Sequence, residues 1–100
     1  MKVLALAAAV LVATPVFASK ELAQKNGCLT CHAADKKIVG PAYQDVAKKY
    51  AGQKDAEVTL ARNIQAGGSG KWGPIPMPAQ GALSDADAHT LAAWVLAGAK

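Results

Sequence analysis

The sequence predicts an all-α domain of about four helices. Three stretches carry apolar residues at helical spacing, and no stretch shows the strict alternation that is typical of a half-buried β-strand. The chain has 100 residues, which is enough for one domain with a small core. Segments rich in Gly and Pro lie between the apolar stretches, so we expect loops to join the helices.

Four helices are expected along residues 19–100. The first covers 20–27, the second covers 42–50, the third covers 56–66, and the fourth begins after Ser84. Each is short, so tertiary packing has to supply most of its stability.

Single residues indicate where the last two helices begin and which side of them is buried. Asp55 is a favourable N-cap for the third helix, and Ser84 with Asp87 three residues later forms a variant of the capping box. The residues expected to face the core are Val58, Leu60, Ala61 and Ile64 in the third helix and Ala88, Leu91, Ala92 and Val95 in the fourth, with Trp94 beside them.

Residues 1–18 are expected to be a cleaved signal peptide, which leaves residues 19–100 as the domain. Lys2 precedes an apolar run over 3–12, and small residues stand where a signal peptidase cleaves, before Ser19. An uncleaved anchor is the alternative, but the apolar run is shorter than the ~20 residues of a membrane-spanning helix. The expected location is the periplasm, an oxidising compartment.

The charge balance of the chain bears on the class of partner that it could bind. Eleven Lys and Arg residues, one of them in the signal peptide, stand against seven Asp and Glu residues. Such a mild excess does not indicate nucleic-acid binding, although it permits steering towards an acidic partner.

Residues 28–32 carry the motif around which the domain is organised. Cys28, Cys31 and the adjacent His32 form C-x-x-C-H, the attachment pattern of c-type haem. Each thiol can add to one vinyl group of a porphyrin, and His32 then falls below the iron as its proximal ligand. A disulfide, a thiol-redox pair and a zinc site are the alternatives. However, no βαβ unit accompanies the motif, and only His89 remains as a further donor.

Met77 is the candidate for the second axial ligand. It is the one methionine after the signal peptide, in a Gly- and Pro-rich loop over 67–83, and Pro76 and Pro78 stiffen the backbone around it. Filling a gap in the core is the alternative role. His89 is the rival ligand, although its alanine-rich helix favours a solvent-facing position. Ligation by His32 and Met77 closes both axial positions and raises the reduction potential, which favours a one-electron carrier. A haem enzyme or a gas sensor is the alternative if Met77 does not bind the iron.

Two residues are candidates for contact with the haem propionates. Trp72 has an N–H group that can donate to a buried carboxylate, and simple loop packing is its other possible role. Arg62 can pair with a propionate or stay solvated.

Four segments together resemble a known family. In chain order they are Cys-Leu-Thr-Cys-His, Val-Gly-Pro-Ala-Tyr, Lys-Tyr-Ala-Gly and Trp-Gly-Pro-Ile-Pro-Met-Pro. They resemble small bacterial class I cytochromes c of the cytochrome c-551/c-552 group. The resemblance implies a class I cytochrome c fold, with four helices wrapped around one haem c. It also implies these site residues: Cys28 and Cys31 as thioether positions, His32 and Met77 as axial ligands, Pro41 with its carbonyl behind His32, and Trp72 at a propionate.

The sequence departs from the family pattern at two positions. Asn63 stands where the family commonly has a propionate-binding arginine, and Gln80 is the weak match to an asparagine that binds the methionine sulfur.

The expected function is that of a soluble, monomeric electron carrier of the periplasm, not an enzyme. Ile75 and Ala79, with nearby lysines, would rim an exposed haem edge at which a partner docks. The resemblance implies transient partners such as nitrite reductase, cytochrome c peroxidase and terminal oxidases. Neither nucleic acid nor a stable membrane association is expected.

Overall fold

The computed structural model of the protein describes residues 16–100, with side chains from Ser19 onward. Within this part of the chain five α-helices are present: α1 Val16–Lys25, α2 Cys28–Cys31, α3 Tyr43–Tyr50, α4 Ala56–Ala66 and α5 Asp85–Leu96. The pairing of extended backbone over the same residues is limited to two isolated β-bridges, so the predicted all-α class is confirmed. Residues 1–15, most of the predicted signal peptide, lie outside the described residues, and cleavage before Ser19 stays a prediction.

The first predicted helix is shifted towards the N-terminus, because α1 begins at Val16 and ends two residues before the predicted end at residue 27. α1 ends at Lys25, and the chain continues through Gly27, whose φ of 75° lies in the left-handed region that favours glycine. The haem motif then forms a separate single turn, α2, and His32 is its C-cap in extended conformation. α3 and α4 begin and end within one residue of their predicted bounds, and α5 begins directly after Ser84, as predicted.

The two predicted N-caps differ in outcome. Ser84 is confirmed, because the Asp87 N–H donates to Ser84 Oγ over 3.1 Å. Asp55 occupies the N-cap position of α4, but its side chain does not form the expected capping hydrogen bond. Its ψ of 30° is outside the extended range that lets an N-cap side chain fold over the first turn.

The core lies between α3, α4 and α5, with α1 packed against α5. The predicted inner face of α5 is confirmed, since Ala88, Leu91, Ala92, Trp94 and Val95 are all buried. The prediction for Val58 is wrong, because its side chain is 45% exposed. With about 100° of rotation per residue, Val58 lies roughly 200° around the helix from the buried Ala56.

None of the described helices combines the length and the apolar character that crossing a membrane requires. Their arrangement leaves one side of the core open as a cleft. α2, α3, α4, α5 and the long loop between α4 and α5 all contribute to its walls.

Candidate haem-binding site

Seven of the predicted site residues line this one cleft. The cleft brings together Cys28, Cys31, His32, Pro41, Trp72, Ile75 and Met77, although they come from three separate parts of the chain. The structure therefore brings these residues together, while their individual binding roles stay predictions.

The two cysteines begin and end α2, so one helical turn separates them on the same side of the chain. Burial raises the pKa of the Cys28 thiol above its usual value. No disulfide joins Cys28 to Cys31. Among the described residues, no three His, Cys, Asp or Glu side chains are grouped to hold a metal ion, so the zinc alternative has no donor set.

His32 is held by the segment that follows the haem motif. Its Nδ1–H donates to the Pro41 carbonyl over 2.8 Å, which is the hydrogen bond that the resemblance implies. This bond assigns the proton to Nδ1, so Nε2 keeps a lone pair that can bind a metal. The N–H of Gly40 donates to the Cys31 carbonyl over 2.7 Å, which fixes the returning backbone beside the histidine.

Gly40 packs so closely against His32 that no side chain fits between them. A Cβ at this position would come within 3.0 Å of three atoms of the imidazole. The close approach of backbone to ring explains why glycine stands here. Sequence reasoning did not select Gly40 as a site residue, although its position directly before Pro41 was the available signal.

Two further aromatic residues support His32, and sequence reasoning missed both roles. The Tyr43 ring stacks on the imidazole with 5.1 Å between centroids and 22° between planes. Trp94 of α5 meets Tyr43 edge to face, with 5.2 Å between centroids. Burial raises the pKa of Tyr43 far above its usual value, so its hydroxyl stays protonated in the folded protein.

Met77 is held against the end of α4 by two backbone hydrogen bonds. Its N–H donates to the Gly68 carbonyl over 2.7 Å, and the Gly68 N–H donates to the Met77 carbonyl over 3.0 Å. The Gln80 N–H also donates to the Ile64 carbonyl over 3.2 Å, which ties the loop to α4 beyond Met77. The methionine therefore occupies a defined place at the cleft wall.

Of the two predicted propionate contacts, Trp72 lines the cleft and Arg62 does not. Trp72 lines the cleft with a half-exposed ring, and the Lys49 ammonium lies 4.6 Å from the ring centroid as a cation–π contact. Asn63 also lines the cleft and donates a long hydrogen bond of 3.5 Å to the Tyr50 hydroxyl. Arg62 is exposed on α4, so Asn63 is the better placed of the two neighbours for a propionate.

His89 lies apart from the cleft, as the sequence predicts. Its Nδ1 is 2.9 Å from Glu57 Oε2, and the imidazole is 42% exposed. The pair links α5 to α4 on the outside of the protein.

The residues present fit a haem group. Two cysteines, a histidine whose Nε2 is available and a methionine line the cleft. Val46, Leu60, Ile64, Leu91 and Val95 line it too and supply apolar walls for a flat macrocycle. A Cβ at Gly40 would overlap the His32 imidazole, and a Cβ at Gly67 would overlap the backbone of Met77. Glycine at both positions therefore leaves room for the two candidate axial ligands.

Comparisons with known proteins agree with this geometry. The cytochrome c family model matches residues 18–99. Cytochrome c-552 of Hydrogenobacter thermophilus is 53% identical over 96% of this chain and 97% of its own length. Cytochrome c-551 of Pseudomonas aeruginosa is 59% identical over 75% of this chain and 71% of its own.

A solved structure shows the same fold. The crystal structure of cytochrome c552 from Nitrosomonas europaea superposes with a TM-score of 0.77 and 51% identity, covering 79% of this chain and 98% of that one. The chain belongs to the cytochrome c family of electron carriers, and it binds one haem c covalently through Cys28 and Cys31.

Proposed function

We propose that the protein is a soluble periplasmic carrier of single electrons whose haem iron is ligated by His32 and Met77. One observation carries the proposal: His32 and Met77 line the same cleft, and hydrogen bonds to backbone groups hold each in place. His32 is bound to the Pro41 carbonyl, and Met77 is bound to Gly68 in both directions.

The bound haem supplies a reversible exchange of one electron at its iron. The residues around the haem determine its reduction potential and whether small molecules can bind the iron. A neutral imidazole and a thioether together favour the ferrous state more than two imidazoles do, so the reduction potential is high for a haem protein. If His32 and Met77 both bind the iron, oxygen and small substrates would have no free coordination site, which argues for a carrier rather than an enzyme.

Rigid ligand supports serve electron transfer directly. The less the ligands rearrange between the two oxidation states, the smaller the reorganisation that each transfer requires. The hydrogen bond from His32 and the paired bonds to Met77 restrict that movement, and Pro76 and Pro78 remove further freedom from the loop.

The rim of the cleft supports transient docking of redox partners. Ile75 is 61% exposed, and Lys37 and Lys71 stand at the same cleft. An apolar contact surrounded by cations suits brief encounters with an acidic protein surface. Respiratory partners such as nitrite reductase, cytochrome c peroxidase or a terminal oxidase are the classes that we propose.

The substitution Met77→Ala tests the proposal. The variant should lose the sulfur-to-iron absorption of the oxidised protein, its midpoint potential should fall, and its reduced form should bind carbon monoxide readily. Visible spectra, a redox titration and a carbon monoxide titration measure these effects.

His89→Ala is the matched control, because it removes the rival ligand without touching the cleft. It should leave all three measurements unchanged. If Met77→Ala kept the wild-type spectrum and potential, the proposed ligation and the carrier mechanism would both be wrong, and an open-site haem enzyme or sensor would be favoured.

A further inference from the structure

We infer that Tyr43 is a positioning residue that sets the rotation of the His32 imidazole, and that Trp94 holds Tyr43 in place. The inference rests on the proposed ligation of the iron by His32. It goes further by assigning the orientation of that ligand to side chains on two other helices.

The bond to Pro41 does not by itself determine how the imidazole is tilted. It anchors one ring atom, Nδ1, to a carbonyl oxygen 2.8 Å away. Hydrogen bonds to carbonyls accept a broad range of directions, so the ring can still tilt about the line that joins these two atoms.

Tyr43 removes that remaining freedom. Its ring is nearly parallel to the imidazole, at 22° and 5.1 Å between centroids. A tilt of His32 would open a gap against Tyr43 or press into it, and both are costly in a packed interior. Gly40 confines the same imidazole through its backbone, as a Cβ there would overlap the ring.

Tyr43 is itself immobilised. It is the first residue of α3, it is 5% exposed, and its N–H donates to the Ala33 carbonyl over 2.9 Å. Its ring meets Trp94 at 64°, and an edge-to-face contact sets the positive edge of one ring against the negative face of the other.

Trp94 supports Tyr43 with a buried ring. It is 7% exposed, and its Nε1–H has no hydrogen-bond partner among the described residues. Its indole belongs to the hydrophobic core formed by the buried residues of α3, α4 and α5. The contact with Tyr43 is the part of that packing that reaches an iron ligand.

The orientation of an axial imidazole has a spectroscopic signature. Its π orbital selects which iron d orbital holds the unpaired electron of the oxidised haem, and this determines how spin density spreads over the porphyrin. The proton shifts of the four haem methyl groups report that distribution directly, and a change in stability alone does not alter their order.

The experiment compares three variants of the holoprotein by proton NMR in the oxidised state. Tyr43→Leu should change the order or the spread of the haem-methyl shifts. Tyr43→Phe keeps the ring and should match the wild type. Leu83→Ala is the stability control, because Leu83 is a buried core residue that does not line the cleft, so it should lower the melting temperature and leave the shifts in place.

Trp94→Leu provides a second route if Tyr43→Leu does not fold. It should move the same methyl shifts in the same direction by a smaller amount, whereas Trp94→Phe should restore them. Unchanged shifts in Tyr43→Leu, or equal changes in Leu83→Ala, would overturn the inference.

The wild-type spectrum separates this inference from the proposed function. If the wild-type protein lacks the signals of a low-spin iron bound by histidine and methionine, the proposed ligation fails. If it has them and Tyr43→Leu does not disturb the methyl pattern, the ligation stands and only the positioning role fails.

Discussion

Two glycines show how single residues shape the haem site without contributing a functional group. Gly40 lets the backbone lie against the His32 imidazole. Gly67 ends α4 with φ 69° and ψ −169°, a combination that glycine adopts almost alone. A Cβ at Gly67 would also lie 2.5 Å from the Met77 carbonyl oxygen and 2.7 Å from the Ala79 nitrogen. Both positions therefore hold the backbone beside a candidate axial ligand.

Gly67→Ala should destabilise the protein and weaken the hold on Met77. The strained backbone conformation alone costs roughly 1–3 kcal/mol, and the overlap with the Met77 carbonyl pushes the loop away from α4. We expect a lower denaturation midpoint and a sulfur-to-iron absorption that disappears at lower temperature than in the wild type. Denaturant titration and temperature-dependent visible spectra measure the two effects.

Gly52→Ala is the matched control for that variant. Gly52 also has a positive φ, 78°, but a Cβ there would meet nothing within 4 Å. It should lose stability without any selective loss of the sulfur-to-iron absorption. Equal effects of both variants on that absorption would mean that Gly67 does not support Met77.

At the scale of the helices, the local sequence indicates where a helix begins. Whether the N-cap side chain then forms a hydrogen bond depends on the backbone conformation of that residue. Ser84 and Asp55 both occupy N-caps. Ser84 has ψ 158° and accepts a hydrogen bond from the first turn of α5, whereas Asp55 has ψ 30° and accepts none with its side chain. Both residues are of a kind that favours the N-cap position, but only Ser84 forms a side-chain hydrogen bond to the first turn of its helix.

Ser84→Ala should cost about 1 kcal/mol of unfolding free energy, because it leaves the Asp87 N–H without its acceptor. Asp55→Ala should cost less, since only its charge near the N-terminus of α4 is lost. Guanidinium denaturation of the two variants under identical conditions gives the comparison. A larger loss in Asp55→Ala than in Ser84→Ala would contradict this account of the caps.

Charge and exposed apolar surface matter at the scale of the whole molecule. The full chain carries a formal net charge of +4, and Lys37 and Lys71 stand at the cleft whose rim includes the exposed Ile75. A positive region around an electron-exchanging edge attracts anions and raises their rate of encounter at low ionic strength.

Lys71→Glu should slow the oxidation of the reduced protein by the anion hexacyanoferrate(III) several-fold at low ionic strength. The difference should shrink as the ionic strength rises past about 0.15 M, where the screening length is about 8 Å. Lys54→Glu makes the same change of charge at an exposed residue outside the cleft and should have a smaller effect. Stopped-flow kinetics at several salt concentrations measure this, and equal slowing by both variants would refute a local role for the cleft lysines.

Much of the site was predictable because its central chemistry is local. Cys28, Cys31 and His32 follow one another within a single turn, so their spacing alone indicates how they meet a porphyrin. Met77 stands out as the one methionine after the predicted signal peptide, and it lies between two prolines. The resemblance to small cytochromes c then indicated the hydrogen bond between His32 and Pro41, which the structure has.

The sequence by itself determined the helical class, the start of α5 and the haem motif, because each depends on residues a few positions apart. Only the tertiary structure decided that Tyr43 and Trp94 support His32, that Gly68 pairs with Met77, and that Val58 faces solvent. These features depend on how separate helices pack and how a long loop returns to α4. No local spacing encodes that packing, because it is settled by the fit of surfaces that meet only after the chain has folded.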